Sequence, residues 1–315
     1  NYDTKYESEA SRSAAERLIF QDKVQYIIGS TSADTMAFQP VTEQNKVIIL
    51  AGGGAIYVSP KTPYTFRVTN LVDVRYVALY EYVKTKYPDL KTVAYINPDT
   101  PVGQAYGKMA KVAADKAGYT VAAEELVALG GSDFSPQIAK VLAKRPDILD
   151  IGATGGGSDS ALIIKQARQL GHKGMIVSAV ALTADTAIKV AGAEAVEGVI
   201  DNSVDPKDPK LSAEFRAFAD EYTKRFPGKP FNMLVTDYYD ACFAFFKFLD
   251  GKRAIGADAL RDAYANHVWQ GIYGKAEFGG EKSYGIKRQI QKADYFSQWK
   301  NGKAEIVDIR IAPVP

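Results

Sequence analysis

Reactive side chains are scarce in this chain. Cys242 is the only cysteine among 315 residues, and His172 and His267 are the only histidines. A single cysteine excludes an intrachain disulfide and leaves the redox compartment unread. It falls within DACFAFFKF (Asp240–Phe248), on the apolar face of an expected helix, which favours a core residue over a reactive thiol. With one Cys and two distant His, neither a Cys–His pair nor a Ser-His-Asp triad is readily assembled. Nothing has zinc spacing or the pattern of a calcium loop. His172 reads as a solvated residue in the turn QLGHKG and His267 as structural; Glu124-Glu125 and Asp237/Asp240 read as surface charge or helix neighbours. The expectation is a protein with no catalytic residue, no cofactor and no metal.

An excess of one charge is lacking too. Lys and Arg number 39 against 37 Asp and Glu, for a net charge of +2, and no basic stripe of the kind a nucleic-acid binder needs is visible. Long apolar runs are missing: the longest, Ala241–Leu249, is broken by Lys247 and falls well short of the ~20 residues that cross a membrane. A mature chain would have lost any leader, so the start of the sequence is silent on export.

What is present is globular. The apolar fraction is 46%, and 315 residues suffice for two domains of ordinary size. The richest stretch is VQYIIGSTSADTMAFQP (Val24–Pro40) followed by VIILAGGGAIYVSP (Val47–Pro60). One β-branched run ends in Gly29-Ser30-Thr31-Ser32 and the next in Gly52-Gly53-Gly54-Ala55. In an open parallel sheet ligands sit beyond the carboxyl ends of the strands, and small residues there expose backbone N–H groups. A small molecule, most readily one with an anionic or carbonyl oxygen, is the expected ligand.

Strand and helix patterns alternate over two thirds of the length, which implies parallel strands with right-handed crossovers. Strands are expected near Gln25–Gly29, Val47–Leu50, Thr92–Asn97, Thr120–Leu126, Ile148–Ala153 and Met175–Ser178. Ser135 is expected to cap one helix and Asp159 another that runs to Leu170. The last third differs: helices near Leu211–Arg225, Phe231–Leu249 and Asp258–Ala265 precede short strands at Tyr273–Phe278, Gln289–Trp299 and Ala304–Arg310. Lys300-Asn301-Gly302-Lys303 is a hairpin signal. Gly152-Ala-Thr-Gly-Gly-Gly157 resembles a nucleotide-binding phrase after a strand. However, Ser158 replaces its last glycine and no acidic ribose partner follows, so an NAD(P)-dependent oxidoreductase is a distant alternative.

Across its whole length the chain resembles the substrate-binding proteins of ABC importers, nearest the leucine/isoleucine/valine-binding type. The resemblance rests on phrases in family order: Tyr2-Asp3-Thr4 before an Ala-rich helix ending Arg17-Leu18-Ile19; VQYIIG; Thr65-Phe66-Arg67; Asp133-Phe134-Ser135-Pro136; Pro146-Asp147-Ile148; Ile164-Lys165-Gln166-Ala167-Arg168 with Gly171; Glu197-Gly198-Val199; and Tyr239-Asp240-Ala241. It implies an α/β fold of two Rossmann-like lobes, each a mostly parallel sheet flanked by helices, joined by three crossover strands. Lobe 1 would hold 1–71 and 205–285, lobe 2 72–204 and 286–315, with hinge crossings near Thr69–Leu71, Asp201–Asp205 and Gly285–Lys287. It further implies a periplasmic or extracellular monomer, lipid-anchored in a Gram-positive host, whose partners are a small-molecule ligand and a membrane permease. A ligand-sensing receptor domain of the same fold is the alternative. The family's first strand and helix have no counterpart before Asn1. Strand Val24–Gly29 reads as apolar on both faces, so a longer functional protein is expected.

Carried residue by residue, the family's carboxylate-binding set falls at Thr31, Ser32, Ala33, Gly53, Gly54 and Ala55, with Tyr57 beside them. Its second-lobe aromatic positions fall near Val102 and in Thr154-Gly155-Gly156. Its ammonium-binding Glu falls at about Val180. A buried ammonium without a carboxylate would be costly to desolvate, so an aromatic or short aliphatic acid is expected in preference to a free amino acid. A shift of two or three residues in the match would instead give the Glu's role to Asp159 or Asp185 and restore an amino-acid ligand.

Overall fold

The structure is a computed structural model that describes every residue except Asn1, Tyr6, Ser30, Thr31, 54–57, Leu71, Pro230, Asn232, 251–255 and 312–315; the side chains of Ala33, Met233 and Leu234 also lie outside the description. The first elements are α1 (Ser8–Phe20), β1 (Tyr26–Ile28), α2 (Ser32–Gln44), β2 (Ile48–Ala51), β3 (Thr65–Arg67), α3 (Val72–Lys86), β4 (Thr92–Pro98), α4 (Pro101–Lys116), β5 (Thr120–Val127), α5 (Ser135–Leu142) and β6 (Ile148–Asp150). After a 3-10 turn at Gly152–Thr154 come α6 (Ser158–Gln169), β7 (Met175–Val177), α7 (Ala184–Val190), α8 (Ala193–Val196), β8 (Ile200–Asp201), α9 (Ala213–Arg225), α10 (Met233–Leu249) and α11 (Ala257–Ala265). The chain ends with β9 (Val268–Gly271), β10 (Gly274–Gly279), α12 (Glu281–Tyr284), β11 (Gln289–Gln291), β12 (Asp294–Lys300) and β13 (Lys303–Arg310).

Two sheets result. The first has the order β1-β2-β3-β11-β10-β9, parallel from β1 through β11 and antiparallel beyond. The second runs β13-β12-β8-β7-β6-β4-β5, parallel from β8 to β5 and antiparallel at β12 and β13. Each sheet belongs to its own unit: unit 1 draws on Asn1–Leu71 and Leu234–Ala293, unit 2 on Val72–Met233 and Asp294–Ala312.

β2 shows why the parallel strands form. Side chains alternate across a strand, and all four of its residues are apolar and wholly buried. Ile48 and Leu50 pack with Phe245 of α10 and Tyr264 of α11. Ile49 and Ala51 pack on the other face with Ala15, Ile19 and Phe38 of α1 and α2. A strand buried on both faces must be apolar throughout. In unit 2, Ile96, Leu149 and Ile176 pack against Ile138 and Ile163 of α5 and α6.

Several expectations meet a different outcome. The units exchange chain after residues 71, 233 and 293, against crossings expected near 205 and 285. β11 pairs with β3 and β10, which keeps it in the first sheet. The Phe215 ring of α9 sits 6.1 Å from Tyr295 of β12, which keeps that helix with unit 2. β1, in contrast, has the single neighbour that the sequence offers it: it pairs with β2 alone among the described residues, and Ile28 is 47% exposed. Gly157, not Asp159, precedes α6; Asp159 Oδ2 instead accepts the Gly130 N–H at 2.9 Å. Phe134 occupies the position before α5, and Ser135 opens the helix. His172 is buried, not solvated, and burial lowers its pKa. Asp237 and Asp240 are buried rather than surface charge. Asp237 pairs with Lys292 at 2.7 Å, and Asp240 accepts the Ile272 N–H at 2.7 Å. The Asn-Gly hairpin forms as expected: Asn301 and Gly302 take φ of 49° and 75° between paired Lys300 and Lys303.

Candidate ligand-binding loops

In unit 1 the loops follow β1 and β2, at the carboxyl edge of a parallel pair. Ser32 is buried and opens α2, with Asp34 in the first turn accepting from the hydroxyls of Ser11 at 2.6 Å and Thr4 at 2.9 Å. The loop after β2 is held by hydroxyls: the Gly52 N–H donates to Tyr238 Oη at 2.7 Å and the Gly53 N–H to Thr69 Oγ1 at 3.2 Å. Gly53 has φ of +109°, and a Cβ there would stand 2.6 Å from Ser32 N. The two loops therefore meet backbone to backbone, a closeness only glycine permits. Ser32 and Gly53 are thus brought together. Ala33 lies in the first turn of α2. Thr31, Gly54, Ala55 and Tyr57 lie outside the described residues.

In unit 2 four parallel strands, β4, β6, β7 and β8, turn their carboxyl ends to one edge. Val102 stands in the first turn of α4, 45% exposed, after Thr100, which caps that helix by accepting the Gly103 N–H at 3.0 Å. α4 packs on the 3-10 turn after β6. In that turn Thr154 is buried, its Oγ1 donating to Ile151 O at 2.6 Å. Gly155 takes φ of +78°. Gly156 O accepts the Thr183 N–H at 2.8 Å, and a Cβ on Gly156 would run into Ala181 O. This joins the Gly152–Gly157 loop to the loop that carries Val180, which is half-buried. Asp159 is taken up by Gly130, and Asp185 is exposed in the first turn of α7.

Sequence reasoning missed four supporting groups. Thr69 accepts from Gly53 in unit 1. Asp150, Asp201 and Ser203 anchor the unit 2 loops: the Gly152 N–H donates to Asp150 Oδ1 at 2.8 Å, and the Leu182 N–H to Asp201 Oδ2 at 2.9 Å. The Ser203 hydroxyl also donates to Asp201 Oδ2, at 2.6 Å. Both carboxylates are fully buried, and desolvation pushes each pKa up to about 6. Their signal in the sequence is an acidic residue closing a short apolar run, as in Ile148-Leu149-Asp150 and Ile200-Asp201.

A family profile described as periplasmic binding protein matches residues 1–304. The chain belongs to the periplasmic binding protein family. Its two sheets and their mostly parallel strands are those of the type I fold, and the family's members bind small solutes. Among curated relatives, it is 28% identical over 205 residues to Leu/Ile/Val-binding protein homolog 1 of Brucella abortus, covering 64% of this chain and 54% of the relative. Homolog 2 of the same species is 27% identical over 197 residues, 61% of this chain and 52% of the relative. The chain thus spans about half the length of the curated relatives it matches. Among solved structures, a leucine binding protein from Thermotoga maritima superposes with a TM-score of 0.78 at 23% identity, covering 99% of this chain and 86% of that one. An ABC-transporter solute binding protein from Rhodopseudomonas palustris, in complex with 3,4-dihydroxybenzoic acid, gives 0.78 at 20% identity over 99% and 85%. At these identities the likeness speaks for the fold alone.

Proposed function

We propose that the protein is the solute-binding component of an ABC importer, acting outside the cytoplasmic membrane without catalysis. Its ligand is a small carboxylate-bearing molecule, an aromatic or aliphatic acid rather than a free amino acid. The reading rests on Val180, an apolar residue, standing where the family resemblance puts the ammonium-binding Glu; of the two acids that a shifted match would put there, Asp159 accepts the Gly130 N–H and Asp185 is exposed in the first turn of α7. Val102 is the other departure. In unit 1, Ser32 at the start of α2 supplies a hydroxyl donor suited to a carboxylate, beside a loop whose Gly52 and Gly53 N–H groups are taken up by Tyr238 and Thr69. The dihydroxybenzoate held by the Rhodopseudomonas protein is in keeping with this ligand class. Capture proceeds by hinge closure, the ligand stabilising the closed population.

The test is a thermal-shift screen followed by calorimetry. Leucine, isoleucine and valine are set against 3,4-dihydroxybenzoate, benzoate and short aliphatic acids. An acid is expected to bind at micromolar affinity or better, with free amino acids weak or silent, and its saturation is expected to reduce the radius of gyration in scattering. Sub-micromolar leucine binding would reject the ligand class while leaving the transport role intact.

A further inference from the structure

The polar groups at the ends of β6, β7 and β8 repeat one device. Asp150 accepts the N–H of Gly152 at 2.8 Å, Ser178 that of Val180 at 3.2 Å, and Asp201 that of Ser203 at 2.8 Å. Each is a side chain turning back on the residue two positions later, just where the strand gives way to its loop. The two outer members are carboxylates with no exposed surface. Burying a carboxylate is costly unless donors surround it, and a packing role alone is met more cheaply by an apolar side chain. Here the donors come mainly from the loops. Asp150 Oδ2 accepts a hydrogen bond from the Tyr80 hydroxyl at 2.5 Å, with the Tyr95 hydroxyl 3.1 Å from that of Tyr80. Asp201 Oδ2 takes the Leu182 N–H and the Ser203 hydroxyl. The Thr183–Gly156 hydrogen bond then ties the two loops into one backbone network.

We propose that Asp150 and Asp201 are positioning residues for ligand binding, two buried carboxylates that hold the Gly152–Gly157 and Ser178–Leu182 loops in their binding shape through backbone N–H groups. The proposal rests on the solute-binding reading for what these loops contact. It assigns the carboxylates no contact with ligand. Tyr76, Tyr80 and Tyr95 are the titratable groups facing Asp150, and the Trp299 indole faces Asp201.

The experiment compares Asp150→Ala, Asp150→Asn, Asp201→Ala and Asp201→Asn in the full chain. It reads amide hydrogen exchange at Gly152, Leu182 and Ser203, and affinity for 3,4-dihydroxybenzoate and leucine as probes. Losing a charge-assisted hydrogen bond predicts at least about tenfold faster exchange at the bonded amide and at least about tenfold weaker binding in each alanine variant. Asparagine keeps an acceptor oxygen and is expected to restore most of both. Tyr80→Phe probes the Asp150 anchor without emptying it and is expected to speed exchange at Gly152 while sparing Leu182. Unchanged exchange or affinity in folded alanine variants, or equal losses for alanine and asparagine, would overturn the proposal. Should an alanine variant fail to fold, unchanged Gly152 exchange in Tyr80→Phe would do the same. If the wild type binds neither probe, the ligand reading fails on its own, and amide exchange still decides the positioning role.

Discussion

The two units support their strand-end loops with opposite chemistry. Unit 1 uses neutral hydroxyls, with Tyr238 accepting from Gly52 and Thr69 from Gly53. Burial raises the Tyr238 pKa further above its ordinary value, so this support does not change across physiological pH. Unit 2 uses the carboxylates of Asp150 and Asp201, whose pKa values are pushed up to about 6. Unit 1 also buries charge, but pairs it internally: Lys292 Nζ lies 2.7 Å from Asp237 Oδ1 and 3.4 Å from the Tyr273 ring centroid, with both charged side chains wholly buried. The lesson concerns where each unit is vulnerable. Unit 1 depends on a pair being complete, unit 2 on a protonation state.

The sharpest way to break unit 1 is therefore to remove one partner. Lys292→Met leaves Asp237 facing a dry interior without its cation, and such a loss costs about 3–5 kcal/mol. Urea unfolding should show it as a large fall in midpoint. A change below about 1 kcal/mol would mean that Asp237 is satisfied without the ammonium.

Unit 2 should respond to pH instead. Burial raises both aspartates from 3.8 to about 6, so the folded state holds these protons more tightly than the unfolded chain. Their stabilising contribution is full below pH 3.8, is lost as pH rises toward 6, and is gone at pH 7. The loss is on the order of 3 kcal/mol for each group. The Asp150→Asn/Asp201→Asn double variant should accordingly resist urea better than wild type at pH 8, with the gap closing by pH 4. A gap that is the same at both pH values would show that the carboxylates are stabilised by their donors as well as in water.

How far this contrast was legible beforehand depends on the kind of signal. The alternation of apolar runs and amphipathic segments carries the parallel sheets, because a strand buried on both faces leaves a continuous apolar word such as Val47–Ala51. The Asn301-Gly302 turn is likewise local, since two adjacent positive-φ residues demand that pair. The unit boundaries were not local. β11 joins the first sheet through a pairing with Arg67, more than two hundred residues away in sequence, which no nearby residue announces. The loops themselves were legible from glycine and hydroxyl residues, but their anchors were not. An aspartate next to an apolar run reads as a solvated strand end until the strand is seen to finish inside the unit. Asp237, in helix α10, reads as surface charge because its cation, Lys292, arrives from just beyond β11, far along the chain.

On the unit 1 side a smaller effect tests the proposed donor set. Ser32 is buried where α2 begins, and Ser32→Ala should lose one charge-assisted hydrogen bond to an acidic ligand, about 1.5–3 kcal/mol of binding. Stability should change far less. Calorimetry with 3,4-dihydroxybenzoate measures it, and an unaltered dissociation constant would remove Ser32 from the site.

The smallest expected effect is the difference in loss between a glycine of one unit and a glycine of the other. Gly53 and Gly155 both have positive φ, +109° and +78°. At Gly53 an added Cβ meets Ser32 N at 2.6 Å, whereas at Gly155 it meets nothing within 4 Å. Gly155→Ala should then cost only the backbone strain of an L-residue at φ 78° and ψ −169°, a region almost reserved for glycine, about 1–3 kcal/mol. Gly53→Ala adds a steric term, because the loop must retreat from the start of α2. The comparison is read by urea unfolding of both variants side by side. Equal losses would mean that the two loops of unit 1 part without cost, and the close approach of Gly53 to Ser32 would then have no role in shaping the site.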